Sequence, residues 1–166
     1  YIKTGPGVTR AATATDMFTL TLSSANVIGV PNANGLPYGL HPLNPIESKW
    51  VLDKDEVAVV NDFVASYNAT IKSVASSKGL AIVDAYTLLQ EFSATDKDGK
   101  LMGKAVNGAV VSSAFITGNL FSLDGIHLTP LGYSITANAF IKAINAKYGS
   151  SIPTVDPTKY RGTKFP

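Results

Sequence analysis

A long helical pattern followed at once by a short apolar run most constrains what this chain can fold into. From residue 57 to residue 74, apolar residues recur at alternating spacings of three and four, which predicts one apolar face on a helix of about six turns. The residues of this face are Val57, Val60, Val64, Tyr67, Ile71 and Val74. The run from Leu80 to Val83 is apolar throughout, as in a strand buried on both faces of a parallel sheet. We therefore expect the helix face to pack in the core of the domain, beside a buried strand.

The ends of this helix carry their own signals. Asp53 and Glu56 have the spacing of a capping box, in which each side chain bonds the backbone N–H of the other residue. Gly79 is a natural C-terminal stop because glycine adopts the left-handed conformation without strain. Asp84, just after the apolar run, is expected to cap a short helix through Phe92.

The second half of the chain is predicted to end on another helix. Residues 93–108 are expected to form a loop, and residues 109–121 are ambiguous between a short strand and a hairpin. Thr129 and Pro130 predict the start of the last helix, as its cap and first residue, and Gly149 predicts its end. Helices alternating with a buried strand are typical of layered α/β proteins. Because only one strand is convincing, we predict that further strands lie upstream of residue 1.

The remaining segments carry weaker signals. Residues 1–49 are rich in Gly, Pro, Asn, Ser and Thr, with a predicted loop at 32–45. We predict a single domain composed of this loop-rich segment, a helix–strand–helix core at 50–149 and an irregular tail at 150–166. The chain begins Tyr-Ile-Lys, which we interpret as an internal position of a longer protein.

Composition argues against several classes of function. The chain has 166 residues and a net charge of +2 with Lys and Arg scattered along it, so no basic patch predicts nucleic-acid binding. Cysteine is absent, which excludes disulfides and thiolate metal sites. No apolar run reaches the roughly 18 residues that would predict a transmembrane helix.

Asp124 and His127 form the candidate catalytic pair. A carboxylate that accepts a hydrogen bond from one imidazole nitrogen sets the tautomer of the ring and stabilises the imidazolium formed in catalysis, which leaves the other nitrogen free to take a proton. A tight turn through Gly125 can bring the two side chains together. By itself the Asp-x-x-His spacing is a weak signal, since His127 is equally explained as a surface histidine before a helix and Asp124 as a turn residue.

A longer string around this pair resembles the last conserved block of the SGNH (GDSL-type) family of serine esterases and lipases. The block pairs Asp-Gly-x-His with a Thr-Pro helix start and a Gly-Tyr step, and here it reads Phe121-Ser122-Leu123-Asp124-Gly125-Ile126-His127-Leu128-Thr129-Pro130-Leu131-Gly132-Tyr133. The resemblance covers roughly residues 50–165 and is most specific in 121–149. Leu128 departs from the proline that often follows the histidine in this family, which affects a loop and no catalytic group.

The resemblance implies a fold and a division of roles. The chain would be the C-terminal portion of a three-layer α/β/α, flavodoxin-like SGNH-hydrolase domain, with His127 as general base and Asp124 as the acid that orients it. The nucleophilic serine and the glycine and asparagine of the oxyanion hole belong to blocks nearer the family's N-terminus. No Gly-Asp-Ser block is found in this chain, and Ser112, Ser113 and Ser122 are interpreted as ordinary loop or strand serines.

The sequence therefore predicts a lipase or esterase that works through an acyl-serine intermediate and is incomplete in this chain. The expected partners are a small-molecule or lipid ester substrate and the upstream segment that carries the serine, with no nucleic acid and no transmembrane segment. The resemblance implies no metal or organic cofactor, and it implies a bacterial, extracytoplasmic protein that is secreted, periplasmic or a lipoprotein. The alternative is a non-catalytic α/β binding or structural module that retains the end of the fold.

Overall fold

The computed structural model describes residues 1–163, and the chain divides into two compact units, Tyr1–Ile71 and Lys72–Pro166. Within the described residues the architecture is mixed α/β, with four α-helices and three separate two-stranded antiparallel sheets. The predicted mixture of helix and strand is present. The three-layer sheet implied by the family resemblance stays a prediction.

The first unit is built on two small sheets. Strand β1 (Ile2–Gly5) pairs with β2 (Val8–Arg10), and β3 (Met17–Phe18) pairs with β4 (Val51–Leu52). Helix α1 (Leu20–Ser24) lies between β3 and β4 in sequence, and a 3₁₀ turn at Ser48–Trp50 leads into β4. The buried core of this unit consists of Ile2 from β1, Leu22 from α1, Val51 from β4, and Ile46 from the loop before the 3₁₀ turn.

A buried carboxylate connects this unit to the start of its long helix. Both carboxylate oxygens of Asp16 accept hydrogen bonds from the Arg10 guanidinium, at 2.6 and 2.8 Å. Asp16 also accepts from the backbone N–H and hydroxyl of Thr13 and from the backbone N–H of Lys54. The Arg10 hydrogen bonds hold the pKa of Asp16 well below its usual value. All of these hydrogen bonds join residues of the first unit, which indicates a structural role for Asp16 and its partners.

Helix α2 (Lys54–Ser77) begins as predicted, with a capping box. Asp53 Oδ1 accepts from the backbone N–H groups of Asp55 and Glu56 at 2.9 and 3.2 Å, and Glu56 Oε2 accepts from the N–H of Asp53 at 2.9 Å. Gly79 follows in the left-handed conformation with φ of 63°. The helix therefore forms where its local signals place it.

The burial predicted for the apolar face of α2 is wrong. Val57 is buried, but Val60, Tyr67, Ile71 and Val74 remain 45 to 64% exposed. The helix follows its local caps, whereas burial of its face requires another element to pack against it. Within the first unit, burial of this face extends only to Val57 and the half-buried Val64.

The predicted strand at 80–83 is also wrong for the described chain. These residues belong to no strand, and Leu80 and Ile82 are 49% and 41% exposed. The N–H of Leu80 bonds the carbonyl of Ala75, and the N–H of Ala81 bonds the hydroxyl of Tyr148. A strand needs a neighbouring strand for its remaining backbone groups, and none of the described strands pairs with this segment.

The second unit contains a short helix and a hairpin ahead of the candidate site. Asp84 caps helix α3 (Ala85–Gln90) by accepting from the backbone N–H of Thr87, which confirms the predicted cap. Strands β5 (Lys104–Val106) and β6 (Ala109–Val111) form a hairpin. The hairpin corrects the prediction that residues 93–108 are loop, because β5 lies in that range, and it resolves the ambiguity at 109–121 in favour of a short strand, β6. The signal was the Asn107-Gly108 pair, which takes positive φ at both positions and favours a two-residue hairpin turn.

Helix α4 (Pro130–Tyr148) begins and ends as predicted, with Thr129 as cap and Gly149 left-handed at φ of 65°. Its first turn adds Leu131 to the buried core of this unit, with Phe92, Val111 and Leu120. The predicted tail follows α4, held by the amides of Asn138 and Asn145, each of which pairs with both backbone groups of one tail residue, Val155 and Ile152 respectively. Residues 164–166 of the predicted tail lie outside the described residues.

Candidate active site

The candidate pair sits on a turn that is closed by backbone hydrogen bonds. Phe121 and Leu128 form an antiparallel bridge, and the N–H of Ser122 donates to the carbonyl of His127 at 2.7 Å. Inside the turn, the N–H of Gly125 donates to the carbonyl of Ser122 at 3.0 Å. Gly125 has φ of 70°, a conformation that glycine reaches without a steric penalty. The sequence Asp-Gly thus allows a turn tight enough to return the chain within a few residues.

The turn brings Asp124 and His127 into direct contact. Asp124 Oδ2 lies 2.7 Å from His127 Nδ1. Because an ionised carboxylate only accepts hydrogen bonds, this contact places the imidazole proton on Nδ1. The Nε2 lone pair is then available to accept a proton, which is the arrangement a general base requires.

The other carboxylate oxygen is held by three donors. Asp124 Oδ1 accepts from the hydroxyl of Ser122 at 2.7 Å and from the backbone N–H groups of Ile126 and His127, each at 2.9 Å. These bonds prevent the carboxylate from rotating freely. As a result, Oδ1 bonds groups of the turn, whereas Oδ2 contacts the imidazole.

The same donors keep Asp124 ionised. The N–H of Ile126, the hydroxyl of Ser122 and the contact with His127 together hold the pKa of Asp124 well below its usual value. A carboxylate that stays charged near neutral pH can stabilise an imidazolium without taking its proton.

Both side chains of the pair are open to solvent. The His127 side chain is 71% exposed and the Asp124 side chain is 47% exposed. Active sites exclude water in order to strengthen their electrostatic interactions. The two side chains are therefore oriented toward each other but are not shielded from water.

The residues after the pair anchor the turn to the helix. The hydroxyl of Thr129 accepts from the N–H of Gly132 at 3.0 Å and donates to the carbonyl of Asn119 at 2.6 Å. Gly132 passes so close to residue 120 that a Cβ at this position would lie 2.4 Å from the Leu120 carbonyl oxygen. The Thr-Pro-x-Gly step thus holds the start of α4 against the strand-like segment that leads into the turn.

The structure also shows the hydrogen-bond partners of the serines near the pair. Ser113 Oγ bonds Ser93 Oγ at 2.8 Å, and Ser112 Oγ receives only a long 3.4 Å contact from the N–H of Ala114. Ser122 contacts the carboxylate of the pair and not its imidazole. Within residues 1–163 no serine hydroxyl is hydrogen-bonded to His127. The contact of Ser122 with Asp124 was missed by sequence reasoning, and only its position two residues before Asp124 pointed to it.

Other chemically plausible groups are not assembled into a site. His41 accepts a hydrogen bond at Nδ1 from the N–H of Leu43, within its own loop. A cavity of about 360 Å³ in the first unit is lined in part by Tyr38 and Trp50 and contains neither member of the pair. Among the described residues, no three His, Asp or Glu side chains cluster closely enough to hold a metal ion. No helix in residues 1–163 has the length and apolar character needed to cross a membrane.

Comparison with known proteins identifies no similar protein. No protein-family model, curated protein or solved structure matches this chain. Any functional argument therefore depends on the geometry of the turn and on the sequence block around it.

Proposed function

We propose that this chain provides the acid–base half of a serine hydrolase that cleaves carboxylic esters. The observation that carries the proposal is the 2.7 Å contact between Asp124 Oδ2 and His127 Nδ1, with Oδ1 of the same carboxylate held by three further donors. This contact orients the imidazole and leaves Nε2 of His127 free to accept a proton.

The chemistry follows from these roles. Nε2 of His127 takes the hydroxyl proton of a serine as its oxygen bonds the ester carbonyl carbon, which forms a tetrahedral intermediate. The imidazolium then donates that proton to the departing alcohol oxygen as the carbon–oxygen bond of the ester breaks. A water molecule, deprotonated by the same nitrogen, attacks the acyl-serine, and the proton returns to the serine as the acid is released. Asp124 stays ionised throughout and stabilises the imidazolium. These steps use no metal or organic cofactor.

The serine and the oxyanion-hole donors would come from an upstream segment of the same protein. Two features of this chain support such a partner. The apolar face of α2 is largely exposed, and the apolar segment 80–83 has backbone groups that no described strand satisfies. Large exposed apolar patches commonly mark interaction surfaces, and here we assign them to the upstream segment. We place the complete protein outside the cytoplasm by family resemblance, and its substrate in the class of lipid or small-molecule esters.

Two observations favour a second candidate, a non-catalytic binding or structural module. The pair is exposed, and within residues 1–163 no serine hydroxyl bonds the imidazole of His127. In that case the hydrogen-bonded turn would serve only to fix the start of α4.

The test is labelling with a fluorophosphonate probe, which reacts with activated serines, followed by intact-mass spectrometry. The complete protein is compared with the 166-residue chain, and both are assayed with a chromogenic ester. We expect one label and ester turnover in the complete protein, both lost on His127→Ala. The control is His41→Ala, which removes a histidine that bonds only within its own loop. We expect no label on the 166-residue chain.

The outcomes separate the two candidates. A complete protein that folds but takes no label favours the non-catalytic module. Ester turnover by the 166-residue chain alone, lost on His127→Ala, would contradict the proposed need for an upstream serine.

A further inference from the structure

We propose that Ser122 is a positioning residue whose hydroxyl sets the orientation of the Asp124 carboxylate toward His127. The proposal concerns the same site and rests on the proposed function for its catalytic consequence. The assignment itself rests on the hydrogen bonds of the turn.

The hydroxyl of Ser122 approaches the carboxylate from a different part of the turn than the other donors do. The N–H groups that bond Oδ1 belong to Ile126 and His127, two and three residues after Asp124, whereas Ser122 lies two residues before it. The hydroxyl of Ser122 is a third donor to Oδ1 and adds one more restraint on rotation of the carboxylate. The 2.7 Å distance is that of a hydrogen bond strengthened by the charge of its acceptor.

Another aspartate of the same unit shows what the backbone donors achieve alone. Asp96 Oδ1 accepts from the N–H groups of Asp98 and Lys100, both at 2.9 Å. Among the described residues, no side-chain hydroxyl bonds Asp96, and its second oxygen holds no imidazole. Two amides suffice for a polar turn. At Asp124 the hydroxyl of Ser122 is added to two amides, and Oδ2 contacts Nδ1 of His127.

The backbone of Ser122 has a separate role, which makes the side chain testable by itself. Its N–H bonds the carbonyl of His127, and its carbonyl accepts from the N–H of Gly125. Both bonds are retained when the side chain is replaced. Substitution therefore removes one donor to Asp124 and leaves the turn closed.

Two substitutions of nearly equal shape isolate the hydroxyl. Ser122→Thr retains it and Ser122→Val replaces it with a methyl group. The first readout needs no catalysis and uses the 166-residue chain: the ¹⁵N shifts of the His127 ring, which report whether the neutral imidazole carries its proton on Nδ1 or on Nε2. We expect the Nδ1–H form in the wild-type chain and in Ser122→Thr, and a shift toward the Nε2–H form in Ser122→Val and Ser122→Ala. Ser113→Ala is the matched control, because that hydroxyl bonds Ser93 and not the pair.

The second readout is the ester turnover of the complete protein. We expect Ser122→Val to lower kcat about tenfold with little change in KM, and Ser122→Thr to restore most of it, because one of several hydrogen bonds to the carboxylate is lost. A tautomer shift in Ser122→Val without esterase activity in any form of the protein would support the positioning role and contradict the proposed function. Identical tautomer ratios in the Thr and Val variants, with amide spectra that show a folded turn, would overturn the proposal.

Discussion

The turn from Phe121 to Leu128 and the apolar face of helix α2 differ in how they are stabilised. The Asp124 carboxylate is satisfied from within the turn, since its donors lie between residues 122 and 127. The α2 face consists of residues that only other elements can bury, and most of them remain exposed. Hydrogen bonds between near neighbours form wherever the local sequence permits them, whereas apolar burial depends on what else is available to pack. The contact between Asp124 and His127 is thus fixed by hydrogen bonds within the turn.

The largest expected effect is on the pair itself. On the proposed function, replacing Asp124 by Asn in the protein that carries the upstream serine keeps the size of the side chain and removes the charge that would stabilise the imidazolium. We then expect kcat to fall on the order of 10⁴-fold, as it does on the same substitution in a Ser-His-Asp protease. The measurement is ester turnover at saturating substrate. Asp98→Asn, in an exposed loop, is the matched control and should retain activity. A similar rate in both variants would remove Asp124 from the mechanism.

A smaller effect, on the free energy of unfolding, is expected where the start of α4 contacts the segment before the turn. Gly132→Ala would place a methyl group 2.4 Å from the Leu120 carbonyl oxygen, so the backbone must shift. We expect the free energy of unfolding to fall by about 1–3 kcal/mol, which is typical of overpacking. Urea unfolding of the 166-residue chain measures it. Ala137→Ser, at an exposed position of the same helix, should change it by less than about 0.5 kcal/mol. An unchanged midpoint for Gly132→Ala would mean that the close approach is absent in solution.

The apolar face of α2 offers a contrast within one helix. Val57 is 9% exposed and Ile71 is 56% exposed. We expect Val57→Ala to lower the free energy of unfolding of the chain by about 2 kcal/mol, because it removes buried methyl groups. Ile71→Ala should change it by less than about 0.5 kcal/mol. A loss of 2 kcal/mol or more on Ile71→Ala would mean that the whole face is buried in solution, as the sequence pattern predicts.

The smallest expected effect is a shift in the pKa of the Asp124 carboxyl group. The hydrogen bonds from Ile126 and Ser122 hold the pKa of Asp124 below that of an unfolded aspartate, which is near 3.9. Because the folded-state pKa is the lower one, these bonds stabilise the turn above about pH 4, and that contribution is lost as the pH falls further. Carboxyl ¹³C NMR of Asp124 in the folded chain and in the chain unfolded by urea compares the two values. Equal midpoints would show that the donors do not bond the carboxylate in solution.

The features that could be predicted from the sequence were mainly those that depend on interactions between residues close together in the chain. Capping boxes, helix stops and the Thr129-Pro130 start of α4 act over a few residues, and the structure confirms them. The pairing of β5 with β6 was missed, although Asn107-Gly108 carried its signal. The strand at 80–83 was wrong because a strand exists only beside another strand.

For the candidate site, the local sequence was enough to predict which two residues meet. The Asp-Gly-x-His spacing and the helix start after it are enough to close a turn, because every bond involved joins near neighbours. Tertiary structure alone decided which residues are buried. It left the α2 face and segment 80–83 exposed and brought Asn119 and Leu120 against the start of α4. The physical reason is that a hydrogen bond within a turn needs only the chain on either side of it, whereas apolar burial needs residues that are distant in sequence or belong to another segment.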